Sequence, residues 1–591
     1  MKKYVLLFSL AVAGICAKAQ YFQHLYGSPD LQQTISGVNT FIQPQGHLMA
    51  SENNINFSSA SNLIVTYTDV NGDILSAPNF NNEYTISDLS GTVLHITSVN
   101  VFELENGSGF GAVGLFNNGT GAVQGIFYLQ LDPTGNPTNI FSYTPVPLTV
   151  AWYNLISVSA VAKSPGTDDL YITGSTETSL SQNFIYALKI NTVGGNILWS
   201  SFYDVIQVGF PQKEFSNDII ESPYMPLGQP EVVIVGGGYD YNSTSTDGIF
   251  FRLNANTGAP TFPWALFYGT AATNEQFTSI DIANSPAGGT NGFIIGGVAN
   301  MGSGSSDFWL MKSDPTGGTV WSSTYDYTGN PGNNNFCNDV KERLNTFAQY
   351  EYYACGTTSN GTMGGADVLV IKTDDLGNGV PNGEFAYNTG NDDIGYNLDQ
   401  YNGTPADGLS IFGISYNGGI GLGDEYLIKS YFNGLSGCNE TFSTPSPQPG
   451  PGLYSETRLN DFDFFVLNNL SVSSTTLSDV TLCYNTSITG GDNSRMAPAE
   501  PKGDKEAVVS PNPMQQGSSV AVVELETEAP AVVQITIYDV LGKQYYNAEH
   551  ELVKGKNQLP LTLSNTNMAA GMYTVKISGT TISKNILLMV K

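Results

Sequence analysis

The stretch DFWLMKSDPTGGTVWSSTYD at 307–326, echoed by DVLVIKTDDLGNG at 367–379, decides the fold. Each is an apolar run followed by a turn that opens with Asp and closes with Gly; the first continues into a W-x-x-x-Y segment. The same phrase returns in NLIVTYTDVNGDIL (62–75), GIFYLQLDPTGN (125–136), NFIYALKINTVGGNILW (183–199), DGIFFRLNANTGAPTFPW (247–264) and DEYLIKSYFNG (424–434). The turn glycines Gly72, Gly135, Gly195, Gly258, Gly317, Gly377 and Gly434 recur every 57–63 residues, the mark of a repeated supersecondary unit.

One period, 277–326, reads as four short strands: FTSIDIA, GFIIGGVA, DFWLMK and TVWSSTYD, separated by Gly-, Asn- and Ser-rich turns. No segment sustains a 3.6-residue apolar period with helix caps, so the region is all-β. The third strand is apolar on both faces (FWLM, VLVI, IFF), and burial on both faces is what radially arranged four-stranded blades provide. In DPTG, Asp caps the turn amides, Pro presets φ and Gly takes the positive φ. The seventh unit lacks an outer strand after Gly434, while YFQHLYGS (21–28) has the shape of WALFYGT (264–270). The reading is therefore a seven-bladed β-propeller over 20–438, closed by 21–26 pairing beside 424–430. The units resemble the propeller-like D-x-W-L-x-K-x-D-x-x-G repeats of secreted Bacteroidota proteins.

The chain has 591 residues, 41% of them hydrophobic, and 22 basic against 52 acidic side chains, for a net charge of -30. A field of that sign repels phosphate backbones and excludes nucleic acid as partner. MKKYVLLFSLAVAGICAKAQ has the basic start, short apolar run and Ala17-Lys18-Ala19 cleavage site of an export signal spanning 1–19. No later run is long enough for a membrane helix. Export leaves Cys337, Cys355, Cys438 and Cys483 as disulfide candidates; sequence proximity favours Cys337–Cys355 and Cys438–Cys483, with free buried thiols as the alternative.

After the ring, 439–488 is a Pro-rich segment (STPSPQPGPG, 443–452), extended and stiff, followed by a β extension that patches a propeller edge; 489–505 is a polar linker. Residues 506–591 carry alternating strands sufficient for a small β-sandwich. Their motifs are Pro511-Asn512-Pro513, then Tyr538-Asp539 with Gly542-Lys543, then Gly571 and Tyr573, and a terminal Lys591. This block resembles the type A C-terminal sorting domain of the type IX secretion system. The resemblance implies recognition by that machinery, passage through the periplasm and across the outer membrane, and a secreted or cell-surface destination.

Chemistry is sparse. Only His24, His47, His95 and His550 are available as imidazole bases, and no nucleophile or zinc motif accompanies them. SDPTGGTVW (313–321) misses the Asp-box spacing of sialidases, and the chain has four arginines. The acid pairs Asp168-Asp169, Asp374-Asp375 and Asp392-Asp393 leave open a carboxylate glycosidase. Lys189, Arg252, Lys312, Lys372 and Lys429 fall at equivalent repeat positions and are expected to pair with the acid two residues on, as Lys312 with Asp314. Asp69, Asn71 and Asp73 stand at calcium-loop spacing, the one candidate metal site; no other cofactor is implied. Tyr352, Tyr353, Trp152 and Tyr153 are candidates to stack on sugars or to pack a blade. The expectation is a non-enzymatic binding or adhesion propeller for an extracellular glycan or protein, against a carbohydrate-active hydrolase or lyase, or a structural surface-coat component.

Overall fold

The computed structural model describes 21–485 and 508–590 apart from 28–30, 41–44, 55–60, 75–77, 89, 119–123, 146–152, 168, 179–181, 205–212, 226–227, 240–244, 271–272, 287–290, 301–304, 329–331, 360–364, 402–406, 417–422, 438–439, 458–459, 463–464, 470, 477, 511–513, 515–519, 528–529, 540–542, 564–568, 570 and 580–582. The signal segment, the linker, Cys438, Trp152, Pro511, Asn512, Pro513, Gly542 and Lys591 lie outside the described residues.

The third strands are buried on both faces, from Ser61–Asp69 to Asp424–Ser430, because each lies between two neighbouring sheets. The described residues form seven antiparallel five-stranded sheets. Their inner strands are Leu31–Thr40, His95–Glu103, Tyr153–Lys163, Glu214–Ser222, Glu275–Ala283, Asn335–Leu344 and Asp393–Tyr401, numbered here as sheets 1 to 7. Each inner strand packs against the next, and the seventh against the first, which makes the cycle of a β-propeller. Seven separate apolar clusters fill the seven seams; Leu48, Tyr84 and Phe127 share one, Phe308, Cys337 and Leu369 another. Tyr21–Gly27 lies between Asp424–Ser430 and Ser478–Asn485, with Phe22 opposite Lys429 and Tyr26 opposite Glu425.

The recurrence of the turn glycines has a single physical cause. In each sheet a tyrosine on the fourth strand donates its hydroxyl to the turn-glycine carbonyl of the next sheet: Tyr84 to Gly135 (2.6 Å), Tyr143 to Gly195 (2.9 Å), Tyr203 to Gly258 (2.8 Å), Tyr268 to Gly317, Tyr325 to Gly377 (2.6 Å), Tyr387 to Gly434 (2.8 Å) and Tyr26 to Gly72 (2.6 Å). An apolar side chain of the same strand seals the glycine. A Cβ on Gly258 would stand 2.6 Å from the Trp199 ring, and one on Gly377 2.9 Å from Trp321. All seven glycines also have positive φ. The period therefore records one seam contact made seven times.

The segment after Gly434 does more than patch an edge. It runs backwards around the ring and adds a fifth, outermost strand to every sheet: Glu440–Ser443 on sheet 6, Pro447–Pro449 on sheet 5, Gly452–Thr457 on sheet 4, Asn460–Phe462 on sheet 3, Phe465–Asn469 on sheet 2, Ser471–Thr476 on sheet 1 and Ser478–Asn485 on sheet 7. The alternating prolines fit this role. Gly450 N donates to Ser322 O (3.0 Å), so even-numbered positions face the sheet and Pro447 and Pro449 turn their missing donors outward. Proline stiffness, read from sequence as a spacer, here preforms an edge strand.

The described residues of 508–590 form a second compact unit. A three-stranded sheet (Val508–Ser510, Val520–Thr527, Gly555–Thr562) and a four-stranded one (Gln544–Leu552, Ala531–Asp539, Gly571–Gly579, Ser583–Val590) enclose one core with Val523, Ile535, Leu561 and Val575. Asp539 pairs with Tyr573, whose hydroxyl donates to Ala569 O (2.9 Å), and Tyr538 pairs with Gln544. Lys543 lies over the Tyr545 ring at 4.8 Å.

Candidate functional site

Polar side chains of the inner strands meet around the propeller axis. Each inner strand carries a bulge at mid-length, such as that between Ser216 and Asp218, Phe277 and Ser279, or Cys337 and Asp339. A bulge frees backbone groups from the ladder and re-aims side chains, and here the freed groups are met from the adjoining sheet. Asp218 Oδ2 accepts from Ile280 N (2.8 Å), Asp281 Oδ2 from Glu342 N (3.1 Å), Asp339 Oδ2 from Leu398 N (2.8 Å) and Asp399 Oδ2 from Asn39 N (2.8 Å). Asparagines supply the converse bond: Asn217 Nδ2 donates to Phe277 O (2.6 Å), Asn338 to Gly395 O (2.6 Å) and Asn100 to Val158 O (3.2 Å).

Four aspartates thus line sheets 4 to 7: Asp218 and Asp339 directly follow the bulge in sheets 4 and 6, and Asp281 and Asp399 stand two residues further on in sheets 5 and 7. The Ser279 hydroxyl lies 3.0 Å from Asp218 Oδ2 and 2.7 Å from Asp339 Oδ1. Lys341 is the internal counter-ion, with Nζ 3.6 Å from Asp339 Oδ1. Burial opposes its charge, but Asp339, Asp281, Asp399 and Asp218 outweigh burial and hold its pKa above the usual lysine value. Burial pushes Asp218 and Asp399 each up to about 6, with Lys341 pulling them back, and raises Asp281 as well.

The residues singled out from sequence fare differently. Asp69 Oδ1 accepts from Asn71 N (2.8 Å) and Asp73 N (3.0 Å), and Asn71 Nδ2 donates to Asp69 Oδ2 (3.1 Å). Asp132, Asp314 and Asp374 cap their own turns in the same way, so the calcium-like spacing is the ordinary turn of the repeat. Asp314 and Asp374 are thus occupied by their own turns instead of by Lys312 and Lys372, while the residues two on from Lys189, Arg252 and Lys429 are Asn191, Asn254 and Tyr431, not acids. Lys189 pairs with Asp169 (3.0 Å), Arg252 with Glu231 (2.9 Å) and Lys372 with Glu351 (3.0 Å), all across to the second strand. Lys312 and Lys429 donate to Ser285 O (2.6 Å) and Val70 O (2.8 Å). Lys312, Lys429, Arg252 and Lys189 are buried, so they present no ring of cations to solvent. Tyr352 and Tyr353 are likewise fully buried blade packing, not sugar platforms.

Cys337 and Cys355 are free thiols, correcting the proposed bridge. They leave sheet 6 on opposite faces: Cys337 packs in the seam with sheet 5 and Cys355 in the seam with sheet 7, so their Cβ vectors diverge. Of the other pair, Cys483 is placed opposite Gln23. The axial aspartates were missed because the repeat was indexed on its third strand. Aligning the inner strands SNDII, FTSIDIA, CNDVKE and YNLDQ would have brought Asp218, Asp281, Asp339 and Asp399 forward.

Residues 508–591 match the family of the secretion system C-terminal sorting domain. No curated protein matches the chain. Among solved structures it is similar to the Dos1 propeller (12% identity, TM-score 0.35, covering 76% of this chain and 95% of that one). It is also similar to dimeric latent PorU from Porphyromonas gingivalis (9%, 0.13, 86% and 34%) and to a tetra-tandem repeat in the extending region of a large adhesion protein (11%, 0.11, 94% and 97%). TM-scores this low carry no argument about activity. No helix among the described residues is long and apolar enough to cross a membrane.

Proposed function

From export of this chain by the type IX system to the cell surface or extracellular space, we propose that its propeller is a non-enzymatic binding or adhesion module for an extracellular glycan or protein. The observation that carries this reading is the occupation of the axial acids. Asp218, Asp281, Asp339 and Asp399 each hold a backbone amide of the adjoining sheet, and Lys341 offsets their charge. A general acid and base need free reach to a substrate, and these groups are engaged in holding sheets together. Binding then falls to the loops at the ends of the ring, where a rigid scaffold presents variable segments.

One observation favours a second reading, a carboxylate hydrolase or lyase. Ser279 joins Asp218 to Asp339, and Asp218 titrates at about 6, in the range useful to a general acid. The discriminating experiment is a glycan and extracellular-matrix array screen of the purified protein, with the same wells assayed for released reducing sugar. Saturable binding without product supports the module. Product that disappears in Asp218→Asn overturns it in favour of the hydrolase; neither binding nor product leaves the surface-coat role.

A further inference from the structure

At the end of each seam away from the turn glycine, three sequence positions converge: the start of the third strand, the residue after the fourth-strand tyrosine, and the start of the next inner strand. In the seam of sheets 4 and 5 these are Asp247, Gly269 and Glu275. A Cβ on Gly269 would lie 2.1 Å from Asp247 Oδ1 and 3.0 Å from Glu275 Oε2, which shows how closely the three approach. In the seam of sheets 6 and 7 they are Asp367, Asn388 and Asp393. There Asn388 Nδ2 donates to Asp367, while Thr389 N (2.6 Å) and Thr389 Oγ1 (2.7 Å) serve Asp393. Donors from within that seam thus reach both of its carboxylates.

The seam of sheets 5 and 6 holds Asp307, Asp326 and Asn335, and the exchange of Asn388 for Asp326 replaces a donor by a second carboxylate. Asn335 is fully buried; its Nδ2 donates to Asp326 Oδ1 (2.9 Å) and Asn333 O (3.2 Å), and Gly332 N donates to Asp326 Oδ2 (2.8 Å). Two oxygens at this end of the seam, Asp307 Oδ1 and Asn335 Oδ1, are shut off from solvent with no hydrogen-bond partner. Among the described residues no ion pair reaches Asp307 or Asp326. Buried carboxylate and amide oxygens without donors carry an uncompensated desolvation cost, and clustered hard oxygens are what a calcium-class cation replaces its water with.

We propose that this seam binds a divalent cation of the calcium class through the Asp307 and Asp326 carboxylates and the Asn335 amide oxygen, joining sheet 5 to sheet 6. Few protein ligands and a partly hydrated ion place the affinity in the range of extracellular modules, about 0.1–1 mM. The test is calorimetric titration of the full secreted chain, stripped with EDTA, with calcium chloride, alongside thermal unfolding at 0 and roughly 5 mM calcium. The expected result is one saturable site and a higher Tm, both weakened at least about tenfold in Asp307→Asn and unchanged in Asp69→Asn. Asp307→Asn leaves every hydrogen bond of Asp326 in place; Asp326→Asn is the second variant should the first alter unfolding in EDTA. Absence of calcium binding by the wild-type chain, or binding and a Tm shift indifferent to both Asp307→Asn and Asp326→Asn, overturns the proposal.

Discussion

The ring and its belt are built from the same strand pairing, yet only the ring repeats. In the ring each seam needs a tyrosine hydroxyl, a glycine carbonyl and an apolar lid at fixed register, so each sheet must restate the same residues. The belt, 440–485, meets seven edges once each, and an edge asks for an extended backbone with donors on one side. Specific side chains make the ring; backbone hydrogen bonds suffice for the belt.

Deleting 440–485 while keeping the remaining chain is the severest test of that contrast. It exposes the outer edge of all seven fourth strands and strips Tyr21–Gly27 of one of its two neighbours. The expected outcome is loss of monomeric protein to aggregates in size-exclusion chromatography. A monomer of unchanged Tm would mean that the ring alone carries the stability.

Gly258→Ala strikes the ring instead. It forces a side chain to φ 72 and sets Cβ 2.6 Å from the Trp199 ring, so strain and overpacking together cost about 3 kcal/mol in denaturant unfolding. The same change at any other turn glycine should cost a comparable amount, because the contact is the same. A spread from near zero to full cost across the seven would show that the seams are not equivalent.

Glu425 sharpens the comparison at the seam where the ring closes on itself. Burial pushes its carboxyl up to about 7 from the usual 4.5, against the pull of the Thr66 and Ser51 hydroxyls that bond it across from sheet 1. A carboxyl raised in the fold contributes most below 4.5 and loses that contribution as pH rises through 7, since the unfolded chain ionises first. Glu425→Gln keeps the acceptor and cannot ionise. Its unfolding free energy relative to the parent should therefore rise by roughly 3 kcal/mol between pH 4.5 and pH 8. A pH-independent difference would place the carboxyl in ordinary solvent contact.

How much of this was legible follows from the same contrast. The seven glycines, the tyrosines of the W-x-x-x-Y segments and the closing strand at 21–27 could be read because a geometric demand was imposed repeatedly at one spacing. The belt could not, since a strand that meets each edge once leaves no period, and alternating prolines also describe a free spacer. The axial aspartates were hidden by the bulges, which vary in length from one residue to two and shift the register of the inner strands between sheets. The cation partners were misassigned because sequence shows that Asp314 is near Lys312 but not that its carboxylate is taken by Thr316 N and Gly318 N. The second unit was legible through its blocks rather than its physics, as Asp539 and Tyr573 are neighbours only across strands.

Pro447→Ala is the smallest perturbation and bears most directly on why the belt reads as a spacer. The Pro447 nitrogen faces away from sheet 5, with Gln448 opposite Thr324, so restoring an N–H adds no bond to the sheet and removes none. The expected loss is about 0.5 kcal/mol, the gain in freedom of the unfolded chain. The new outward donor should instead show itself as faster self-association at high concentration, because an edge lacking donors at alternate positions cannot template another strand. A cost well above 1 kcal/mol without added association would mean that the belt is held by its own stiffness and not by the edges it covers.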